Sequence, residues 1–222
     1  MKKTLALAVT AAFLATPAYA ADVKIGVLLG FTGPIESLTP DMASGAELAM
    51  KEASDSSAFM GGSKIISVRG DSTCVDAAAA TATAERLITA DGVSAIMGAD
   101  CSGVTTAVLQ NVALAKGVVM ISPSATSPAL STVEDNGLFF RTSPSDARQG
   151  QVLAEILKEK GVKSAAISYT NNDYGKGLAA SIQSNFEDLG GKVTISTSHE
   201  DGKGDYGAEV AALAQAGGDV LI

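Results

Sequence analysis

Short apolar segments alternate with longer amphipathic segments along almost the whole chain, starting at residue 23. The short segments are rich in Val and Ile, which is typical of buried β-strands, and the longer ones have helical periodicity. This alternation predicts right-handed βαβ units and a parallel sheet. The predicted strands cover residues 23–29, 64–68, 93–97, 118–121, 138–141, 164–169, 193–197 and 219–222, and the predicted helices cover residues 41–54, 75–90, 105–116, 147–160, 178–189 and 206–216.

The alternation is interrupted once, at the segment TSPSD over residues 142–146. This segment predicts a crossing between two α/β lobes, with residues 21–142 forming the first and residues 143–222 forming part of the second. The last residues, GGDVLI, enter an apolar segment and stop without a turn or a polar tail. We therefore expect the second lobe to be incomplete in this chain and to be continued in a longer protein.

The first twenty residues have the pattern of a cleaved secretory signal peptide. Lys2 and Lys3 precede an apolar stretch, and Ala18 and Ala20 supply small residues before the expected cleavage point. The apolar stretch is too short to span a bilayer, and no later segment is long and apolar enough to do so. No cysteine stands at the cleavage point, so we expect an exported protein without a lipid anchor.

The net charge excludes one class of partner. Loss of the two signal-peptide lysines changes the formal net charge from -8 to -10. Such an acidic protein repels nucleic acids and anionic lipid surfaces, so we expect neither as a partner.

The only two cysteines, Cys74 and Cys101, predict a disulfide in an oxidising compartment. The bond would contribute about 3–4 kcal/mol in the chain-entropy picture. There is no C-x-x-C motif, and the sole histidine, His199, is far away in sequence. We therefore predict neither a redox motif nor a metal site, and no cofactor.

Three loops follow predicted strands at the edge where parallel α/β sheets bind ligands. They are GFTGPIESLTP, GADCSGVTT and SPSATSP, and they share small residues, hydroxyls and helix starts. Ser102 precedes a predicted helix, where it either holds a ligand carboxylate or caps its own helix. Pro123 and Pro128 fix the backbone around Ser124 and Thr126, which indicates either a rigid mould for a polar ligand or a stiffened turn.

Enzymatic functions find little support in the sequence. It has no nucleophile elbow and no H-E-x-x-H motif. A serine triad would need His199, which we predict to be a solvated surface residue. The segment GKGDYG over residues 202–207 matches a dinucleotide fingerprint, but its charges and the predicted export favour a loop before a helix capped by Asp205. We expect no enzymatic activity, and a secreted hydrolase is the alternative of another class.

Four motifs together carry a resemblance to a known family. They are VKIGVLLGFTGP with the helix SGAELAMKE, CSGVTT after DSTCVD, then ISPSATSP, and finally YTNNDYGKGLA. In this order and behind a signal peptide, the chain resembles the periplasmic leucine/isoleucine/valine-binding proteins of ABC importers from Val23 to its end. The resemblance implies a type I periplasmic binding fold of two doubly wound parallel-sheet lobes, a ligand clamped between them, an inner-membrane ABC permease as partner, and a monomer.

The resemblance also implies roles for individual residues. Ser102 and Thr126 would hold the α-carboxylate of an amino acid, and Ser124 would offer its backbone to the α-ammonium with Thr126 assisting. Tyr174 would contact the ligand from the second lobe. The acidic residue and the further aromatic residue that complete the family's site would lie beyond the last residue, so no residue of this chain represents them.

Asp100 departs from the family pattern. It stands where an apolar residue usually lies near the ligand's side chain, so it is either a contact for a ligand unlike leucine or a cap for the following helix. We therefore expect an amino acid or a similar molecule as ligand, and the alternatives are amides, urea, aromatic acids or a role as a sensor.

Overall fold

Two parallel β-sheets form the framework of the computed structural model, which describes residues 21–222. The predicted signal peptide lies outside the described residues. The first sheet has five strands in the order β2-β1-β3-β4-β5, and the second has three in the order β7-β6-β8. The strands are β1 (Val23–Leu29), β2 (Ile65–Asp71), β3 (Ala95–Gly98), β4 (Val119–Ser122), β5 (Phe139–Arg141), β6 (Ser164–Thr170), β7 (Lys192–His199) and β8 (Val220–Leu221).

The helices lie between the strands, as the alternation predicts. They are α1 (Thr39–Asp55), α2 (Ala77–Thr89), α3 (Ser102–Val108), α4 (Leu114–Lys116), α5 (Asp146–Glu159), α6 (Asp173–Asp188) and α7 (Gly207–Ala216). A π-helical segment, Leu109–Ala113, joins α3 to α4, and short 3-10 helices cover Phe59–Gly61 and Pro128–Ser131. The predicted α/β class with parallel sheets is confirmed.

The central strand β1 explains why its segment is almost wholly apolar. Val27, Leu28 and Leu29 are completely buried, because helices cover both faces of this strand. Leu28 packs into the larger core together with α2 and α3, whereas Val27 and Leu29 pack with Ala43 of α1 on the other face. This is the doubly wound arrangement, in which the loops at the carboxyl ends of the strands meet along one edge.

Each predicted helix begins one to five residues away from its predicted start. Helix α1 begins at Thr39, two residues earlier than predicted, and the Thr39 hydroxyl donates to the carbonyl of Gly30 at 3.0 Å. Helix α6 begins five residues earlier than predicted, since Asn172 caps it by accepting the N–H of Gly175 at 2.8 Å. The Asn- and Gly-rich sequence there resembles a loop, but these residues start the helix.

The pairing of Cys74 with Cys101 is confirmed. The sulfur atoms are 2.09 Å apart and the two Cα atoms 5.2 Å apart. The bond joins the loop after β2 to the loop after β3 at the carboxyl edge of the first sheet. None of the helices within residues 21–222 has the length and apolar character needed to cross a membrane.

We predict that Cys74 and Cys101 are bonded in the exported protein. Mass spectrometry of unreduced protein is expected to show one cross-linked peptide pair. Replacing both cysteines by serine is expected to lower the free energy of unfolding by about 3–4 kcal/mol, because the unfolded chain then regains its loop entropy. Two free thiols in the unreduced exported protein would contradict the prediction.

Candidate functional site

The Asp100 carboxylate holds three loops together at the carboxyl edge of the first sheet. Its Oδ2 accepts the backbone N–H of Gly30 at 2.5 Å. Its Oδ1 accepts the Ser72 hydroxyl and the backbone N–H of the adjacent Cys101, both at 2.9 Å. The side chain is fully enclosed, with 1% of the residue exposed. Asp100 thus connects the loops that follow β1, β2 and β3.

This position argues against both roles that the sequence suggests for Asp100. Each carboxylate oxygen accepts a hydrogen bond from the chain itself, and little of the side chain is accessible to a ligand. The carboxylate also does not cap α3, because it accepts from Cys101, which lies ahead of the helix. We infer that Asp100 fixes the relative positions of these loops, a role that the sequence pattern alone does not reveal.

Two hydroxyls of the proline-containing loop, residues 121–128, stabilise the loop itself. The buried Ser122 hydroxyl donates to the carbonyl of Ala99 at 2.5 Å and accepts the N–H of Ala125 at 2.9 Å. The Ser124 hydroxyl donates to the carbonyl of Asp100 at 3.0 Å, and the Ser124 N–H donates to the Ser122 hydroxyl at 3.4 Å. The loop is therefore fixed to its neighbour before any ligand arrives.

Arg141 of β5 donates hydrogen bonds that stabilise the same loop, and the sequence analysis missed this residue. Its Nη1 donates to the carbonyls of Ala125 at 3.1 Å and Ser127 at 2.9 Å, and its Nη2 donates to the Ser131 hydroxyl at 2.5 Å. Burial lowers the pKa of Arg141, and the negative charge of Asp146 partly opposes this effect. The available signal was an isolated arginine as the last residue of an otherwise apolar strand.

Ser102 lies at the start of α3 and faces the proline-containing loop. Its hydroxyl oxygen accepts the N–H of Ser127 at 3.1 Å, and only 2% of the residue is exposed. The helix cap is Cys101, so Ser102 does not cap its own helix. The first helical bond runs from the Thr105 N–H to the Cys101 carbonyl, so the N–H groups of residues 102–104 have no partner within the helix.

The first turns of α6 bring the second lobe against these loops. A Cβ atom on Gly177 would lie 2.8 Å from Cδ of Pro128 and 3.0 Å from the Ser127 hydroxyl oxygen, so only glycine permits this approach. A Cβ atom on Gly103 would lie 3.7 Å from a carboxylate oxygen of Asp173. The start of α6 therefore packs on the start of α3 and on the proline-containing loop.

Tyr174 lies in this first turn of α6, partly exposed beside the junction of the lobes. Burial raises the pKa of its hydroxyl, and the negative charge of Asp146 raises it further. The structure therefore brings Ser102, Thr126 and Tyr174 to one place, as the resemblance implies. Their contact with a ligand stays a prediction.

Asp146 is the second residue that the sequence analysis missed. Its N–H donates to the Thr126 carbonyl at 2.9 Å, and both residues line an open cavity of about 400 Å³ beside α5. Burial raises the pKa of its carboxyl, whereas the Thr126 hydroxyl and the charge of Arg141 lower it. The sequence shows only an acidic residue at a helix start, which is common and carries no sign of burial.

The prediction that His199 is a solvated surface residue was wrong in one respect. His199 is half-buried, and its Nδ1 lies 2.8 Å from the hydroxyl oxygen of Ser168, so a serine does meet the histidine. The pair bridges the neighbouring strands β6 and β7, and no hydrogen bond to the other ring nitrogen is formed by the residues that the structure describes. A hydrolase would also need an acid on that nitrogen and donors for an oxyanion.

Comparison with known proteins gives a consistent result. A family model described as a periplasmic binding protein matches residues 22–222. The Leu/Ile/Val-binding protein of Citrobacter freundii is 31% identical over 201 residues, which cover 90% of this chain and 53% of that protein. A leucine-binding protein from Thermotoga maritima matches with a TM-score of 0.80 at 25% identity, covering 90% of this chain and 55% of that one.

A solute-binding protein of an ABC transporter from R. palustris, in complex with 4-hydroxybenzoate, matches with a TM-score of 0.78. At 21% identity, over 91% of this chain and 53% of that one, this likeness shows the fold alone. The chain thus spans about half the length of the proteins it matches.

We predict that Asp100 stabilises the folded protein. Asp100→Ala is expected to lower the free energy of unfolding by about 2–4 kcal/mol, because the change leaves buried donors without an acceptor. Chemical denaturation measures the effect, and Asp201→Ala, an exposed residue, is the control and is expected to change little. Unaltered stability combined with weakened ligand binding would show instead that Asp100 is a ligand contact.

Proposed function

The chain belongs to the periplasmic binding protein family, and on that premise we propose that it is an extracytoplasmic solute-binding protein of an ABC importer. It captures an amino acid or an amino-acid-like molecule between its two lobes and delivers it to an inner-membrane permease. The observation that carries the proposal is the placement of Ser102 and Thr126 on two bonded loops of the first lobe, directly under the first turns of α6.

The first lobe supplies a rigid polar surface for a charged head group. Such a group loses its water on entering a closed cleft, and an unpaired buried charge would cost several kcal/mol. The Ser102 hydroxyl, the Thr126 hydroxyl and the Ser124 backbone replace that water. Because the internal bonds of Ser122 and Ser124 already fix the loop, little ordering is required when the ligand binds.

The second lobe closes the site against the first lobe. Gly177 lets α6 approach Pro128 closely, and this brings Tyr174 to the edge of the junction. A ligand that contacts both lobes stabilises this closed arrangement by its differential affinity for it. The protein works as a monomer in the periplasm and carries out no chemistry, so neither a cofactor nor a metal takes part.

Stabilisation by ligand tests this function directly. We expect the melting temperature of the full chain to rise with at least one member of a panel of amino acids, amides, urea and aromatic acids, since a ligand that binds only the folded state stabilises it by mass action. Titration calorimetry then gives the dissociation constant. If no member of the panel shifts the melting temperature or produces heat, the proposed function is wrong.

The two hydroxyl residues provide the sharper prediction. Ser102→Ala or Thr126→Ala is expected to weaken binding about ten- to a hundredfold, because a hydrogen bond to a charged group contributes roughly 1.5–3 kcal/mol. Calorimetry with the strongest ligand of the panel measures the loss. Ser184→Ala on the exposed side of α6 is the matched control and is expected to bind normally.

An affinity for Thr126→Ala within about twofold of wild type, with every stabilising ligand, would contradict this assignment. The proline-containing loop would then be a stiffened turn.

A further inference from the structure

One face of the first sheet is covered over only part of its width. Val27, Met97, Ile121 and Phe140 form an apolar row across β1, β3, β4 and β5 in the register of the sheet. Helix α1 packs on the β1 end of this row, and the cluster that it forms reaches Met97. The rest of this face, which we call the uncovered face, consists of Val119, Ile121 and Phe140, which are 39%, 41% and 53% exposed.

The opposite face of the same two strands is closed. Met120 and Phe139 alternate with the exposed residues along β4 and β5, and both are buried in the larger core. Parallel sheets normally have both faces covered, because the apolar side chains of their strands otherwise remain in water. Within residues 21–222, the uncovered face therefore lacks a layer that the β1 end of the same sheet has.

We propose that an amphipathic helix from a part of the protein outside residues 1–222 packs on the uncovered face beside α1. The chain covers 53% and 55% of two proteins that it matches, so nearly half of each has no counterpart here. This part supplies the helix. The sequence analysis expects only the second lobe to be incomplete, whereas the uncovered face requires the remaining polypeptide to contribute to the first lobe as well.

The dimensions of the uncovered face fit one helix. The outer two of three neighbouring strands are about 10 Å apart, and an α-helix with its side chains is about 10–12 Å wide. Helix α1 covers the neighbouring part of the face in the same way. We expect the added helix to present apolar residues three and four positions apart to the sheet.

A second copy of the chain fits this face less well. A stable interface buries about 800 Å² of each partner, and three partly exposed side chains offer far less. The chain is also acidic, so two copies repel each other.

Thiol labelling measures whether the uncovered face is covered in the protein from its source cells. The two native cysteines are bonded to each other, so Ile121→Cys or Phe140→Cys introduces the only free thiol within residues 21–222. Both thiols are expected to react readily with a maleimide in the short chain, which ends at residue 222. In the protein purified from its source cells, they are expected to react at least about tenfold more slowly, because a packed position reacts only when it opens.

Leu48→Cys is the matched control. Leu48 is 56% exposed on α1, and its replacement is expected to react equally in both proteins. Equal reaction of Ile121→Cys in the two proteins would overturn the proposal, whatever the length of the protein from the cells. Protection that grows with the concentration of the short chain would show a second copy on this face. Protection that is lost on purification would show a separate partner, and either result would also overturn the proposal.

Phe140→Ser gives a second measurement that needs no labelling. It is expected to change the melting temperature of the short chain little, because about half of Phe140 is in water there. It is expected to lower the melting temperature of the protein from its source cells clearly, because there it removes buried apolar surface. Equal decreases in both proteins would contradict the proposal. Neither measurement involves a solute, so the outcome is independent of the proposed function.

Discussion

A buried carboxyl group needs hydrogen-bond partners from the chain, and the loops of the first lobe are arranged around one such group, Asp100. Asp100 collects donors from the loops after β1, β2 and β3, and its backbone carbonyl receives the Ser124 hydroxyl from the loop after β4. The disulfide between Cys74 and Cys101 fixes two of the same loops covalently. Four separate segments therefore have one relative arrangement along the carboxyl edge of the sheet.

That arrangement decides which polar groups are left for a ligand. Ser122 and Ser124 use their hydroxyls within the loops, and Arg141 uses its guanidinium on loop carbonyls. Among residues 21–222, the Ser102 hydroxyl accepts the N–H of Ser127 but donates no hydrogen bond, and the Thr126 hydroxyl interacts with the carboxyl of Asp146. A polar loop is thus divided between groups that give it shape and groups that are free to bind, and the division is visible only in the hydrogen-bond network.

Close approach between the lobes depends on small residues in α6 and at the start of α3. A Cβ atom on Gly177 would lie too close to Cδ of Pro128, whereas one on Gly103 would only be in ordinary van der Waals contact with Asp173. The second lobe itself is packed in the same way, since a Cβ atom on Gly150 of α5 would lie 2.2 Å from the Ser181 hydroxyl of α6. The high glycine content of the sequence therefore serves contacts between elements as well as turns.

Local periodicity determined most of the architecture. The segments of β1 and β6 are apolar because both faces of a parallel strand are buried, and this signal belongs to the segment itself. The segment of β4 is equally apolar, although its Val119 and Ile121 are exposed. The disulfide followed from there being two cysteines in a chain whose sequence predicts export. The sequence motifs also placed Ser102, Ser124, Thr126 and Tyr174 among the candidate residues, and the fold brings Ser102, Thr126 and Tyr174 to one junction.

Only the tertiary structure decided what Asp100, Asp146, Arg141 and His199 do. Each is a polar residue at the end of a strand or at the start of a helix, and in the sequence such a position looks the same whether it is solvated or buried. Its burial and its partners come from segments that are distant along the chain, such as Ser72 for Asp100 and Ser168 for His199. Periodicity reports which face of an element is buried but not which loops meet, because loop contacts are set by the packing of whole elements.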